Sequence, residues 1–355
     1  RSGSVAARKK RSCLIVALVF CFVLCLLAVQ AAAADQANVF IYHRFDDSRF
    51  PSTNISSRDF QSHLEILHRQ DFTVLTLGQI VDKIKHGESL PQRCAAITVD
   101  DAFRSFLTSG WPLLKSLGFP ATLFVSTDLV GGGDYLDWQE LKTLRDEGVE
   151  LGNHSASHAY LLDKTKDEEW ATRVRQDIDR AQQAFASNLG FKPRLFAYPY
   201  GEFSPELVEL VGQAGFEAAF GQQSGVLTPG QDPLRLPRFP MGGVYADADE
   251  FKNKLLMRHL PVKVIAPQTT VIGVENPPRL VFTLADGPYD KRTLRCYVPG
   301  QPECRVAEVP GEDGLYEVEA TGPLTGRRSK YTLTASDRSG GGWFWFSQLW
   351  VMPRR

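Results

Sequence analysis

The stretch AAITVDD, residues 95–101, is an apolar run with the length of a β-strand, and it ends in two carboxylates. It is one of seven short apolar runs that alternate with amphipathic helical runs between about residues 38 and 260. This alternation is typical of repeated strand–helix units around a parallel sheet, and seven strands indicate a barrel. The predicted strands are Val39–Tyr42, Phe72–Leu75, Ala95–Val99, Thr122–Val125, Val149–Gly152, Leu195–Tyr198 and Ala218–Phe220.

The pattern changes after about Pro261, where the long helical period is lost and β-rich runs are separated by Gly, Pro and Asp. We therefore predict a barrel over residues 35–261 and a small sandwich-like all-β domain over residues 262–355. Aromatic residues are concentrated in the last run, Trp343–Val351. They either stack on sugar rings or fill the sandwich core and its contact with the barrel, and their alternation favours the second. The predicted runs are Arg279–Leu284, Tyr316–Ala320, Tyr331–Ala335 and Trp343–Val351.

The N-terminal stretch has the layout of an export signal. Four basic residues at 8–11 precede an apolar run over residues 13–29, and a run of alanines ends at Ala34. This predicts a secretory signal peptide over residues 1–34 that is cleaved near Ala34, leaving no stable membrane insertion. The alternative is an uncleaved membrane anchor, because the apolar run approaches the length that spans a bilayer. We expect a periplasmic, cell-surface or secreted protein.

Cysteine usage fits export. Three cysteines remain after residue 34: Cys94, Cys296 and Cys304. Cys94 lies in an apolar strand and is predicted to be a buried thiol, whereas Cys296 and Cys304 flank the turn-rich residues 299–302. We predict that these two pair in an oxidising compartment.

The overall charge argues against one class of partner. The formal net charge is −1, from 40 basic and 41 acidic residues. Such a balance produces no overall field that would attract a polyanion, so we expect no nucleic-acid partner. The sequence gives no indication of the oligomeric state.

Three polar clusters follow predicted strands. Asp100 and Asp101 stand at the carboxyl end of a strand, where parallel barrels place their active sites. His154 and His158 are four positions apart, on one face if the segment turns helically, and neutral imidazoles bind metals. A set of two His and one Asp leaves coordination positions open, as a catalytic zinc site requires. Each cluster also has a structural alternative, a solvated turn for the Asp pair and a surface pair for the His.

The third cluster is FAYPYG, residues 196–201. Its Pro and Gly fix a tight turn that is able to aim a backbone N–H at a developing oxyanion. The alternative is a purely structural turn.

Together these motifs resemble the polysaccharide deacetylase family, carbohydrate esterase family 4. The run TVDDA, residues 98–102, stands where the family has Thr-Phe-Asp-Asp-Gly, HSASH at 154–158 matches its His-Ser/Thr-x-x-His motif, and YPYG at 198–201 follows. Coverage is roughly residues 38–245, and three motifs in this order are specific. The sequence is nearest the exopolysaccharide, or poly-N-acetylglucosamine, deacetylase branch.

The resemblance implies a distorted (β/α)7 barrel in which Asp101, His154 and His158 hold a divalent metal ion, usually zinc. It further implies that Asp100 is the general base and that the backbone N–H of Tyr200 helps to stabilise the oxyanion. The substrate it implies is an acetylated polysaccharide whose linear amide bonds are hydrolysed to release acetate.

The sequence departs from the family pattern at three places. Ala102 replaces Gly, a change we expect to be tolerated if the backbone there is ordinary. Ala197 stands where many members have an Arg that orients the catalytic Asp, and Arg238 is our candidate substitute. No Leu-x-His is found late in the barrel, so we assign the general acid to His43, as the resemblance to the exopolysaccharide branch implies, with His259 as the alternative.

The predicted function is metal-dependent hydrolysis of N-acetyl groups on a polysaccharide that contains N-acetylglucosamine. Two alternatives remain at this point. One is hydrolysis of another non-peptide amide, which an export signal disfavours. The other is a catalytically silent glycan-binding module, which has no need of a general base beside a metal.

Overall fold

A computed structural model describes residues 35–164 and 169–354. From Gln36 onward the chain forms one compact unit. The predicted signal peptide over residues 1–34 and its cleavage site near Ala34 lie outside the described residues. Across the described ranges, no helix combines the length and the apolar character needed to cross a membrane.

The first part of the chain is a barrel of parallel strands. The sheet order is β10-β1-β5-β6-β7-β8-β9, and β4 pairs with the first half of β5. All seven predicted strands are present, with ends shifted by up to two residues, and the predicted fold is confirmed. The strands of this part are β1 (Ala37–Tyr42), β2 (Arg44–Phe45), β3 (Asn54–Ile55), β4 (Thr73–Val74), β5 (Cys94–Val99), β6 (Thr122–Val125), β7 (Glu150–Asn153), β8 (Leu195–Ala197), β9 (Ala218–Phe220) and β10 (Phe239–Pro240).

Helices cover the outside of the barrel because one face of each is apolar. They begin at side-chain caps such as Thr76, Asp137 and Ser204, whose oxygens accept from backbone N–H groups of the first turn. The helices are α1 (Ser57–Arg69), α2 (Leu77–Lys85), α3 (Trp111–Ser116), α4 (Trp138–Asp146), α5 (Trp170–Leu189), α6 (Pro205–Gln213) and α7 (Ala248–Leu255).

The segment over residues 236–240 closes the barrel. Leu236 forms a parallel bridge with Phe220 in β9, and Phe239 in β10 pairs with Phe40 in β1. Strand β10 is only two residues long and contains a proline, so no apolar pattern marks it in the sequence. This segment carries Arg238 between its contacts with β9 and β1.

Two four-stranded sheets follow, in the orders β11-β18-β17-β14 and β12-β13-β16-β15. Their facing side chains form one apolar core that includes Phe282, Tyr331 and Trp350. Cys296 and Cys304 form the predicted disulfide, with a Cα–Cα distance of 5.2 Å. The strands are β11 (Arg258–His259), β12 (Val262–Ala266), β13 (Leu280–Leu284), β14 (Arg295–Tyr297), β15 (Arg305–Glu308), β16 (Leu315–Glu319), β17 (Arg328–Ser336) and β18 (Trp343–Val351).

Strand β18 joins this sandwich to the barrel. Phe344 and Trp350 face the sandwich core, whereas Trp345 packs against Phe239 of the barrel with ring centroids 6.0 Å apart. Successive side chains of a strand point to opposite faces, so β18 packs against the sandwich core with one face and against the barrel with the other. The interpretation of the terminal aromatics as core and interface residues is confirmed for these three, while Trp343 is 48% exposed.

Candidate active site

The two carboxylates leave β5 at its carboxyl end. Asp100 is completely buried, and Asp101 has φ +73°, which turns the chain sharply away from the strand. Ala102 has φ +58°, so the backbone there is not the ordinary one that we expected. In this left-handed region a side chain costs roughly 1 kcal/mol relative to glycine. The replacement of the family's glycine by Ala102 is therefore a strained one.

Asp101, His154 and His158 converge. Oδ1 of Asp101 lies 3.0 Å from Nε2 of His158 and 3.4 Å from Nε2 of His154. One ligand atom from each residue falls within 4.8 Å of the others, which is close enough for one shared ion. The structure thus brings together the three residues predicted to ligate a metal.

The hydrogen bonding around His154 fits a metal ligand. Its Nδ1 lies 2.7 Å from the carbonyl oxygen of Ala197, which can only accept, so Nδ1 carries the proton and Nε2 presents its lone pair to Asp101. Within the described residues, His154 Nε2 and Asp101 Oδ1 are buried without a hydrogen-bond partner. Two such orphaned atoms are the signature of a site that is completed by a cation. The donor set therefore fits a divalent metal ion.

The electrostatics point the same way. Burial raises the pKa of Asp101, but its close contacts with His154 and His158 outweigh burial and hold that pKa well below its usual value. Burial lowers the pKa of His154, yet the charges of Asp100 and Asp101 reverse the shift and raise it. The carboxylates thus stabilise a positive charge at this point, whether it is a proton or a metal ion.

Arg238 reaches Asp100 from the segment that closes the barrel. Its Nη1 and Nη2 donate to the two carboxylate oxygens at 2.7 and 2.8 Å, and its Nε donates to the carbonyl of Gly221 at 2.9 Å. Burial raises the pKa of Asp100, but the charges of Arg238 and His154 hold it below its usual value. Ala197 provides no guanidinium, and the guanidinium beside Asp100 is that of Arg238.

His43 follows β1 at the same end of the barrel. Burial lowers its pKa, and the charges of Asp101 and Asp100 act on it in the opposite direction, which places its ring within their field. His259 lies elsewhere, because its backbone N–H donates to Gln36, the residue that precedes β1. The six residues of β1 span about 20 Å. His259 is therefore at the opposite end of the strand from the carboxylates.

Tyr200 lies in the YPYG turn with φ +58°. Its ring centroid is 4.5 Å from that of His158, at an interplanar angle of 61°, and 4.0 Å from that of Tyr160. Burial and the neighbouring Tyr160 and Asp101 raise the pKa of Tyr200 to about 12, so the phenol stays neutral. The motif thus places the ring of Tyr200 against His158.

Sequence reasoning missed Tyr160, Glu202 and Arg327. Tyr160 stands two residues after His158, and that proximity was the only signal for it. Glu202 and Arg327 are paired across 125 positions of the chain, a separation over which no local pattern relates two residues.

Several known proteins are similar to this chain in sequence or in fold. The family model described as polysaccharide deacetylase matches residues 87–219. The chain is 26% identical over 218 residues to the poly-beta-1,6-N-acetyl-D-glucosamine N-deacetylase of Staphylococcus aureus, covering 58% of this chain and 73% of that protein. The structure of IcaB from Ammonifex degensii is 25% identical, with a TM-score of 0.55 over 61% of this chain and 96% of that chain. The Streptococcus pyogenes deacetylase PplD in complex with acetate has the same fold, with a TM-score of 0.56 and 15% identity over 62% of this chain and 98% of that one.

A parallel barrel that gathers carboxylates and imidazoles at the carboxyl ends of its strands defines a class of hydrolytic enzymes with a site for a divalent ion. Residues 87–219 match the polysaccharide deacetylase family, and the chain is similar to poly-beta-1,6-N-acetyl-D-glucosamine N-deacetylases. It is a hydrolase that acts on the amide bonds of N-acetyl groups.

Proposed function

We propose that the protein removes acetyl groups from N-acetylglucosamine units of a β-linked polysaccharide, releasing acetate and leaving free amines. The observation that carries this proposal is the convergence of Asp101, His154 and His158 beside an Asp100 that is buried and paired with Arg238. The S. aureus relative, named for deacetylation of poly-β-1,6-N-acetyl-D-glucosamine, supports the choice of polymer.

Asp101, His154 and His158 would hold the divalent ion, and we favour zinc because two imidazoles and one carboxylate are a common catalytic zinc set. When bound, such an ion lowers the pKa of a coordinated water toward ~7 and polarises the acetyl carbonyl. His154 is oriented for this role by its hydrogen bond to the Ala197 carbonyl. Three protein ligands would leave a fourth coordination position for water or substrate.

Asp100 would take the proton of the attacking water. Its pKa is held down, so it is ionised at neutral pH and ready to accept. Arg238 fixes the plane of the carboxylate through two hydrogen bonds, which restricts the base to one orientation. Oδ2 of Asp100 lies 3.7 Å from Nε2 of His154, so base and ligand border the same space.

His43 would protonate the leaving nitrogen, since an amine leaves poorly as an anion. The backbone N–H of Tyr200 would stabilise the oxyanion of the tetrahedral intermediate. In this proposal base and acid are different side chains, which come from β5 and β1.

The test is acetate release from three substrates by the metal-loaded mature protein: β-1,6-linked N-acetylglucosamine oligomers, chitin oligomers and peptidoglycan. We expect release from the β-1,6-linked oligomers, and its loss in Asp100→Asn. Asp128→Asn, a change at an exposed ion pair with Arg180, is the matched control and is expected to retain activity. If none of the three substrates yields acetate, the proposal is wrong and the glycan-binding alternative gains support.

We further propose that the chain is exported by the segment over residues 1–34. Its mature part would comprise the barrel over residues 35–261 and the all-β domain over residues 262–355. The disulfide between Cys296 and Cys304 supports an oxidising compartment. The change from parallel barrel strands to antiparallel pairs from β12 onward supports the division into two domains.

A further inference from the structure

An arginine of the C-terminal sandwich reaches the rim of the candidate metal site. Arg327 directly precedes β17, and its Nε and Nη2 donate to the two carboxylate oxygens of Glu202, both at 2.7 Å. Its Nη1 donates to Asp163, also at 2.7 Å. Glu202 follows the YPYG turn, and Asp163 follows the His motif. One guanidinium therefore ties together the two barrel loops that carry Tyr200 and His158.

The same guanidinium begins a stack of planar groups. Its Cζ lies 3.9 Å from the ring centroid of Tyr160. Tyr160 stacks on Tyr200 with centroids 4.0 Å apart and an interplanar angle of 18°, and Tyr200 meets the edge of His158 at 4.5 Å. Cation–π and aromatic contacts of this geometry are attractive, so each group restrains the orientation of the next. Planar groups thus form a continuous path from the sandwich to one of the three candidate ligands.

His158 depends on such support more than His154 does. The Nδ1 atom of His154 is fixed by the carbonyl of Ala197, whereas His158 is held by its backbone N–H, which donates to Ser155, and by the ring contact with Tyr200. His158 also has φ +53°, an unfavourable backbone conformation for a residue with a side chain. Metal-binding imidazoles are ordinarily oriented by a hydrogen bond to the other ring nitrogen. Here the edge contact with Tyr200 takes the place of that bond.

We propose that Arg327 is a positioning residue: through Tyr160 and Tyr200 it fixes the ring of His158, so that the C-terminal sandwich raises the metal affinity of the barrel site. This inference rests on the proposed metal site. Loss of groups that orient metal ligands typically weakens metal binding by about 10–100-fold. The sandwich is then part of the catalytic architecture, although none of its residues ligates the ion.

The test measures the Kd for Zn²⁺ by competition with a chromophoric chelator, using the mature protein and two variants. Arg327→Ala removes the ion pairs and the first layer of the stack. Tyr160→Leu leaves the ion pairs of Arg327 in place and interrupts only the stack, so it remains informative if Arg327→Ala folds poorly. We expect each variant to bind Zn²⁺ about 10–100-fold more weakly than the unaltered protein. The double variant should bind Zn²⁺ no more weakly than the more strongly affected single variant, because both changes act through one path.

The matched control is Arg258→Ala. Arg258 has the same kinds of partner, an ion pair with Asp337 and a ring contact with Phe344 at 4.4 Å, but at the far end of the sheet from Tyr200. We expect it to lower stability and leave the Kd for Zn²⁺ unchanged. Equal weakening in Arg258→Ala, or an unchanged Kd in Tyr160→Leu and Arg327→Ala, would overturn the inference alone. Absence of Zn²⁺ binding in the unaltered protein would overturn the proposed function and this inference with it.

Discussion

The pair formed by Arg238 and Asp100 gives a prediction with a definite magnitude and pH dependence. Both side chains are completely buried, and the guanidinium satisfies both oxygens of the carboxylate. Arg238→Met keeps an unbranched chain of similar length but removes the charge. Removing one partner of a buried ion pair costs about 3–5 kcal/mol, because the other charge stays buried without compensation. We expect the free energy of unfolding at pH 7.5 to fall by that amount.

The pH dependence follows from the causes of the pKa shift of Asp100. In the unaltered protein Arg238 holds that pKa below 3.8, so its contribution to stability is present above pH 4 and is lost as pH falls further. Without Arg238 the remaining dominant cause is burial, which raises the pKa above that of the unfolded chain. The folded variant then retains a proton that its unfolded state releases, and its stability falls as pH rises above 4. The difference between variant and unaltered protein should therefore be smaller at pH 5 than at pH 7.5.

Urea unfolding followed by tryptophan fluorescence measures this difference at both pH values. The double variant Arg238→Met/Asp100→Asn removes both charges, so it should recover most of the lost stability although it remains inactive. A loss below about 1 kcal/mol in Arg238→Met, no recovery in the double variant, or a larger loss at pH 5 would refute the reasoning.

Three further predictions concern histidines. His154→Ala should lose bound divalent metal and activity together. Metal analysis after dialysis and an acetate-release assay measure the two losses, and a variant that keeps one ion per chain would contradict the proposed site. His43→Ala should retain the metal and lose turnover by about 10²–10⁴-fold, and near-normal turnover would remove it from the acid role. His63 is buried between Tyr42 and the Ala246 carbonyl, and burial lowers its pKa to about 4. In the unfolded chain the imidazole of His63 binds a proton near pH 6.5, so the free energy of unfolding should fall by about 3 kcal/mol as pH drops from 6.5 to 4. His63→Gln should reduce this dependence on pH, as measured by urea unfolding.

Local patterns explain why most of the barrel was predictable. Strands such as β5 and β6 are buried on both faces, so they form continuous apolar runs between polar segments. β10 is different, because two residues with a proline carry no such signal. The closing segment was therefore missed as a strand, although its one buried charge, Arg238, was correctly singled out as a candidate partner of Asp100.

The candidate site likewise contains residues that local patterns predicted and contacts that they did not. Asp101 and the two histidines stand in short motifs at strand ends, and the topology of a parallel sheet brings such ends together. The stack that begins at Arg327 joins residues of the barrel to a residue of the C-terminal sheets, and no pattern within either part of the chain indicates it. The left-handed conformation of Ala102 was equally unpredictable, since an alanine favours right-handed or extended backbone and only the surrounding fold imposes the turn.

Two of the three departures from the family pattern have a common physical explanation in the order of the sheet. The proposed mechanism requires a guanidinium beside Asp100 and a proton donor near the leaving nitrogen, and residues from any part of the chain can meet both requirements if the fold brings them to these positions. Strands β10, β1 and β5 are consecutive neighbours. Arg238 directly precedes β10 and reaches Asp100 with its long side chain, and His43 directly follows β1, so these neighbouring strands would supply both groups. A change that opens the contact between β1 and β10 should therefore disturb the orientation of the base and the position of the acid together.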